Sequence, residues 1–307
     1  MHIESLSHNG RGVGRIEGKT VFVDGALPQE DIRVQIKRQK RSYDEGDLLE
    51  IIKPSHFRVE PRCPHFSTCG GCSLQHMEPQ AQIEAKQNIL IENLQRIGGV
   101  TPQRILEPVM DSFWGYRRKA RLGVTYVNKN EDVFVGFREK HSSLLAELDG
   151  CEVLHFSVGK RIKALRQLIK TLSIYNRLPQ VEIAVGDNAT ALVFRHLIDL
   201  TDQDKMLLIE FGKIQDLQIY LQPKGPSSVT LLWPDVAQLS YALPEFQIEL
   251  EFKPTDFIQV NADVNRKMVS LVISLLELQP TDVVLDLFCG IGNFTLPIAR
   301  YVAEVVG

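Results

Sequence analysis

Near its C-terminus the chain reads Val283-Val284-Leu285-Asp286-Leu287-Phe288-Cys289-Gly290-Ile291-Gly292-Asn293-Phe294. An apolar run closing on an acid, then a glycine-bearing turn, then an amphipathic segment predicts strand, tight loop and helix of a doubly wound α/β sheet. Glycines in such a turn let the backbone pass close to a nucleotide-like ligand. The third position of a dinucleotide fingerprint is Thr295 here instead of Gly or Ala, which counts against a dinucleotide ligand. The ribose-binding acid should end the following strand. That strand would be Ala303-Glu304-Val305-Val306-Gly307, so the acid is expected just past Gly307 and the site is expected to be only partly assembled within these residues.

Length and composition set the remaining bounds. A chain of 307 residues, 44% apolar and 24% charged, has room for two or three domains with ample core. No cationic segment leads into an apolar one at Met1-His2-Ile3-Glu4, and the longest apolar stretch, Met268 to Leu278, is too short for a bilayer. The expectation is a cytoplasmic protein without membrane contact. A net charge of −3 gives no global bias toward nucleic acid, so any such reading rests on local clusters.

The N-terminal segment, residues 1–56, predicts a small OB-like β-barrel. Strand-like runs Thr20–Val23, Ile32–Ile36 and Leu48–Ile52 are separated by Asp24-Gly25 and Asp44-Glu45-Gly46, read as turns. Between two of these runs lies a basic loop, Lys37-Arg38-Gln39-Lys40-Arg41, and a barrel with a basic loop suits RNA. After the linker Lys53-Pro54-Ser55-His56, Pro79 opens a helix over 79–97 with Ile83, Leu90, Leu94 and Ile97 on one face, ended by Gly98-Gly99. Residues 107–250 alternate strand-like and helical runs, an α+β pattern. Its clearest hairpin runs from Tyr116 to Val127, turns at Asn128-Lys129-Asn130 and returns over Val133–Phe137. Arg117, Lys119 and Arg121 share one face of the first strand, where they need an anionic partner: RNA phosphate, or carboxylates of the fold itself. Further on, Asn261 caps a helix whose apolar face is Val264, Met268, Leu271, Leu275 and Leu278.

Five cysteines are an odd number, and three crowd into Cys63-x5-Cys69-Gly70-Gly71-Cys72. In a reducing compartment such a cluster points to metal. Three soft donors on one loop and a remote Cys151 suit either a four-cysteine zinc site or a [4Fe–4S] cluster, and the missing second Cys-x2-Cys knuckle favours iron–sulfur. His65 and His76 flank the loop and could replace Cys151 in a zinc site. Cys289, in the glycine turn, is read as a small buried filler.

Four motifs in order resemble the S-adenosylmethionine-dependent RNA uracil-C5 methyltransferases. They are Cys63-Pro64-His65-Phe66-Ser67-Thr68-Cys69-Gly70-Gly71-Cys72, Gly136-Phe137-Arg138 ahead of Cys151, Phe257-Ile258-Gln259-Val260-Asn261, and Asp286 through Phe294. The barrel, similar to a TRAM domain, together with the cysteine set points to the branch that acts on 23S ribosomal RNA. The resemblance implies a multidomain chain: a TRAM-like barrel over 1–56, a central domain with an iron–sulfur loop over 57–256, and the start of a Rossmann-like methyltransferase domain over 257–307. Helix 79–97 would pack on that last domain. The resemblance further implies that Cys63, Cys69, Cys72 and Cys151 ligate a [4Fe–4S] cluster, and that Gln259, Phe288 and Asn293 contact S-adenosylmethionine, with Asp286, Gly290 and Gly292 shaping the pocket. Ribosomal RNA would meet Lys37, Arg38, Lys40, Arg41, Arg117, Lys119 and Arg121. In the family the nucleophilic cysteine, the proton-abstracting glutamate and an Asp-Pro-Pro motif lie in a later segment. The expectation is therefore a C-terminally truncated, monomeric chain with no catalytic residue of its own, inactive alone.

Overall fold

Alternating apolar residues make five N-terminal strands: β1 (Ile3–Leu6), β2 (Gly12–Ile16), β3 (Lys19–Val23), β4 (Asp31–Gln39) and β5 (Tyr43–Lys53). In the computed structural model, which describes residues 1–129 and 131–307, they form one sheet in the order β1-β2-β3-β5-β4. The sheet curls shut where the Ile32 N–H donates to the Met1 carbonyl at 2.9 Å and His2 bridges Asp31. Ile3, Val21, Val23 and Ile32 fill the interior. Asp44-Glu45-Gly46 is strand here, not the turn expected from its composition. Gly46 is required because a Cβ there would lie 2.4 Å from Val34 Cγ2 of the neighbouring strand. Lys37 and Arg38 likewise belong to β4, so the expected basic loop shrinks to the turn after Gln39.

The chain divides into two compact units, Met1–Pro108 and Val109–Gly307, and the boundaries expected after residues 56 and 256 fall inside them. The first unit carries α1 (Pro79–Arg96), with the Glu78 side chain accepting the Ala81 N–H and proline in the first turn. This helix packs by Ala81, Ala85 and Ile89 against Leu6, Leu27 and Met77 of the barrel unit. The face expected from periodicity is a different one, and Leu90 and Ile97 from it are exposed.

In the second unit a six-stranded sheet is built from β6 (Lys119–Val127), β7 (Asp132–Gly136), β8 (Gln180–Val185), β9 (Thr190–Arg195), β10 (Gln218–Gln222) and β11 (Thr230–Trp233), in the order β11-β10-β9-β8-β6-β7. Of the expected turn between β6 and β7, Asn130 lies outside the described residues. Two short helical segments, α2 (Phe156–Gly159) and α3 (Ile162–Thr171), precede β8; α3 buries Ile162, Leu165, Leu168 and Ile169 along one stripe. Helix α4 (Asp202–Gln215) starts on a capping box of Thr201 and Asp204 and connects the parallel pair β9–β10. β8 and β9 are buried along nearly every residue, so their continuous apolar runs mark central strands covered on both faces.

A hairpin of β12 (Leu239–Leu243) and β13 (Ile248–Phe252) follows, then α5 (Ala262–Leu275), β14 (Val283–Leu285), α6 (Thr295–Ile298) and β15 (Glu304–Val306). β14 and β15 pair in parallel, as the strand–loop–helix reading requires. Hairpin, α5 and this small sheet share one core around Tyr241, Leu250, Val269, Ile273 and Ile298. Asn261 caps α5 as expected, its Oδ1 accepting the Val264 N–H at 3.1 Å. The buried stripe of α5, however, is Ala262, Asn265, Val269 and Ile273, while Leu275 of the expected face is exposed.

Candidate functional site

The loop from Asp286 to Phe294 leaves the C-terminal end of β14, the place where parallel strands open a crevice for ligands. Three of its residues sit in the left-handed region: Phe288 (φ 64°), Gly290 (φ 60°) and Gly292 (φ 91°). Glycine takes this backbone freely and phenylalanine does not, so a strained Phe288 with a fully exposed side chain is a residue the fold holds outward. The turn closes through the Gly292 N–H to the Cys289 carbonyl at 3.0 Å. Asp286 accepts the Thr295 hydroxyl at 2.5 Å, and its own N–H donates to the Val306 carbonyl at 2.8 Å. One carboxylate oxygen thus locks the loop to α6.

The expected contact residues are not all left open to a ligand. The Asn293 side chain is bonded to Asn265 and to Tyr241, so much of its hydrogen-bonding capacity serves the protein. Gln259 is exposed, and no hydrogen bond links it to the loop. Cys289 is half-buried; its Sγ lies 3.8 Å from the Gly290 carbonyl, so it is not the buried filler expected. Asn265 and Tyr241 escaped the sequence reading, as did the bond of Thr295 to Asp286. A polar Asn265 in phase with Ala262, Val269 and Ile273 was the available signal.

The cationic row on β6 is largely neutralised from within. Glu182 of β8 stands opposite Arg121 and takes Lys119 at 3.3 Å and Arg121 at 3.6 Å. Lys119 also donates to the Pro254 carbonyl, and burial pulls its pKa below the usual lysine value, with Glu182 opposing the shift. Lys119 thus takes the second of the two expected partners, a carboxylate of the fold, whereas Arg121 is two-thirds exposed. Arg117 is half-buried, pairs by backbone with Leu154 and Asn261, and has no side-chain partner among the described residues. Arg118 is tied to Asp187, which also takes Arg266 of α5 at 2.7 Å. Burial pushes Asp187 upward, but the Ala242 N–H and the two guanidinium groups outweigh it and hold the carboxyl below its ordinary value.

In the barrel, Lys37 pairs with Asp47 at 3.1 Å and Arg38 with Glu45 at 3.7 Å, all across the β4–β5 ladder. Lys40 and Arg41 are exposed; the Lys40 N–H donates to Asp44 Oδ1 at 3.3 Å, while neither charged group pairs with a carboxylate among the described residues.

Cys63, Cys69 and Cys72 stand on the loop between the barrel and α1, and Cys151 belongs to the other unit. The Gly71 N–H points at Cys69 Sγ at 3.4 Å, and the Cys63 N–H donates to Gln75 Oε1 at 3.2 Å. One amide, that of Gly71, thus faces a cysteine sulfur, and hydrogen bonds to sulfur tune a metal-bound thiolate. Among the described residues, however, no three of His, Cys, Asp or Glu are grouped so as to hold a metal ion, so the expected four-cysteine cluster is not reproduced.

A family profile described as tRNA (Uracil-5-)-methyltransferase matches residues 79–307, and a TRAM domain profile matches residues 2–49. The chain belongs to the RNA uracil-C5 methyltransferase family. A relative from Nitrosococcus oceani, named 23S rRNA (uracil(1939)-C(5))-methyltransferase RlmD, is 54% identical over 99% of this chain and 68% of its own length. A protein of the same name from Legionella pneumophila is 46% identical over 99% of this chain and 69% of its own. Among solved structures, the Pyrococcus abyssi tRNA (uracil-54, C5)-methyltransferase in complex with S-adenosyl-L-homocysteine superposes with a TM-score of 0.71 at 19% identity, covering 98% of this chain and 70% of that one; it shows the shared fold. As a uracil-C5 methyltransferase, the chain carries its N-terminal TRAM domain in the barrel of the first unit and the glycine loop near the end of the second. No helix among the described residues is long and apolar enough to cross a membrane.

Proposed function

We propose that this chain binds S-adenosylmethionine on the Asp286–Asn293 loop and serves methylation at C5 of a uridine in 23S ribosomal RNA. The observation that carries the reading is the loop itself: three left-handed residues between parallel strands, in a chain of this family. The names of the relatives support the ribosomal substrate, and the S-adenosyl-L-homocysteine bound in the Pyrococcus abyssi neighbour supports the donor.

The sulfonium donor supplies an electrophilic methyl group. C5 of uracil is a weak nucleophile, so a cysteine thiolate must add to C6, turning C4–O into an enolate and loading C5 with electron density. C5 takes the methyl, a base removes the C5 proton, and the thiolate leaves as the C5–C6 double bond re-forms. The target base must be swung out of its RNA structure for both faces to be reached. Gly290 and Gly292 give the donor a close backbone approach, Asp286 anchors the crevice, and the outward Phe288 presents a ring at its mouth. Cys289 sits on the donor side of the reaction, and no residue of the chain is assigned as nucleophile. Exposed Arg121 and half-buried Arg117 of the second unit, and Lys40, Arg41, Lys37 and Arg38 of the first, are the groups we assign to RNA phosphate, in a monomeric protein of the cytoplasm.

Calorimetric titration tests the donor half and a transfer assay the rest. The 307-residue protein is expected to bind S-adenosylmethionine. Failure to bind sinks the donor reading; label carried to a ribosomal RNA other than 23S, or to a position other than C5 of uridine, sinks the substrate reading.

We also infer that the Cys63, Cys69 and Cys72 thiols supply donors to a [4Fe–4S] cluster, with zinc as the alternative. The soft-donor loop and the amide aimed at Cys69 support this. Protein purified without oxygen is expected to be brown with broad visible absorbance. A colourless preparation that contains zinc points to the alternative, and one with neither metal removes the inference.

A further inference from the structure

The glycine turn has backbone bonds of its own, the Gly292 N–H to the Cys289 carbonyl and the Leu296 N–H to the Gly292 carbonyl, but neither ties it to the rest of the unit. α6, which follows it, has no side-chain cap, and three of the turn residues occupy left-handed backbone. Two anchors remain. One is local, the Thr295 hydroxyl on Asp286. The other comes from distant sequence. Asn265 Nδ2 donates to Asn293 Oδ1 at 2.8 Å while Asn293 Nδ2 donates back to Asn265 Oδ1 at 2.9 Å. The Tyr241 hydroxyl donates to the same Asn293 oxygen at 3.0 Å. Two amides that each give and take a hydrogen bond fix one another's planes, and the tyrosine uses the second lone pair of the shared oxygen.

Both partners are buried, Asn265 4% exposed and Tyr241 7%. A polar group in the apolar stripe of α5 is unfavourable unless its partner is in place, so the fold keeps Asn265 with Asn293 opposite it. The two anchoring side chains come from α5 and β12, elements joined in one core with Ile298 of α6. The loop is thereby referenced to the packed interior of the unit.

We propose that Asn265 and Tyr241 are positioning residues for the S-adenosylmethionine loop, holding Asn293 and through it the Gly290–Gly292 turn in the form that takes the donor. The proposal rests on the donor reading above. Neither residue touches the reacting atoms; both act through Asn293.

The test is calorimetric titration of the full chain with S-adenosylmethionine, beside melting curves taken without ligand. Asn265→Ala should weaken binding by roughly 5- to 100-fold and the milder Tyr241→Phe by roughly 3- to 10-fold, the range expected for a buried partner removed. Asn265→Asp gives the readout that a merely structural role would not move. Near pH 8 its carboxylate repels Asn293 Oδ1 and binding should be weak. Toward about pH 5.5 the neutral acid, whose hydroxyl donates and whose carbonyl accepts, restores the reciprocal pair, and affinity should recover. Tyr241, its pKa pushed up to about 12 by burial, does not titrate in that range. The charged groups on the loop, hairpin and α5, namely Asp286, Glu249, Glu245, Asp263, Arg266 and the Asp187 that holds Arg266 and the Ala242 N–H, are common to the wild type, whose own profile is the reference. Should wild type bind while Asn265→Ala and Tyr241→Phe match it, or should Asn265→Asp show the wild-type pH profile, the proposal fails and the donor reading stands. Should wild type not bind, the donor reading falls and takes the proposal with it.

Discussion

Replacing Glu30 by alanine is expected to melt the N-terminal unit at a much lower temperature. Glu30 is fully buried, and both its oxygens are engaged. Oε2 accepts the Leu27 N–H and Arg58 Nη2, each at 2.8 Å, and Oε1 accepts Arg58 Nε at 2.5 Å and the Ser55 N–H at 3.3 Å. The carboxylate therefore clasps the β3–β4 connection to the segment that leads into the cysteine loop. Alanine leaves a largely buried guanidinium and two amides without their acceptor. Breaking one side of such a pair costs about 3–5 kcal/mol, which for a unit of this size lowers the melting temperature by more than about 10 °C. Glu30→Gln keeps the shape and loses the charge, so its effect should be smaller, about 1.5–3 kcal/mol.

The same clasp predicts an acid limb. Burial raises the Glu30 pKa, but the hydrogen bonds from Arg58, Leu27 and Ser55 outweigh it and the net shift is downward from 4.5. A group depressed in the folded state stabilises fully above its unfolded pKa and loses that contribution as pH falls through the folded value. Wild type should accordingly lose stability below pH 4.5, and Glu30→Gln should flatten that limb. Urea unfolding across the acid range measures both, and an alanine variant that melts with wild type would show that the clasp carries little.

Gly292→Val should weaken S-adenosylmethionine binding by roughly 5- to 150-fold, the equivalent of about 1–3 kcal/mol of backbone strain. Two facts set this size. Gly292 has φ 91°, where a β-branched residue is a severe outlier, and a Cβ there would stand 3.0 Å from Leu296 Cγ. The strain is relieved only by moving the turn or tipping α6, and either displaces the crevice. Gly290 provides the internal control. Its φ is 60°, but nothing lies within 4 Å of a Cβ placed on it, so Gly290→Ala carries the backbone penalty alone and should bind more tightly than Gly292→Val. Calorimetry on the two variants checks the order. Equal, wild-type affinity in both would mean that the donor does not use this turn.

The strand–loop–helix at 283–298, three of the five barrel strands and the Asn261 cap were legible because each is written in successive residues: an apolar run, a glycine turn, a capping side chain. The inward faces of α1 and α5 were not. Both helices carry apolar residues on more than one side, so periodicity alone could not choose between Val264, Met268 and Leu271 and the stripe of Ala262, Asn265, Val269 and Ile273 that is buried. Composition misled at Asp44-Glu45-Gly46, where residues typical of turns form a strand. Asp44 pairs there with Lys19, Glu45 pairs across the ladder with Arg38, and Gly46 makes room for Val34.

By itself the sequence determined the order of elements, the place of the glycine turn and the family, since these depend on local preference and on motifs held in fixed order. Only the tertiary structure decided which charges stay available and what holds the loop. Lys119 is taken up by Glu182, Arg118 shares Asp187 with Arg266, and Asn293 is bound by Asn265 and Tyr241. Each of these pairs joins residues far apart along the chain. Packing brings them within hydrogen-bond range, and a hydrogen bond or an ion pair depends on that distance in space, which local sequence does not encode.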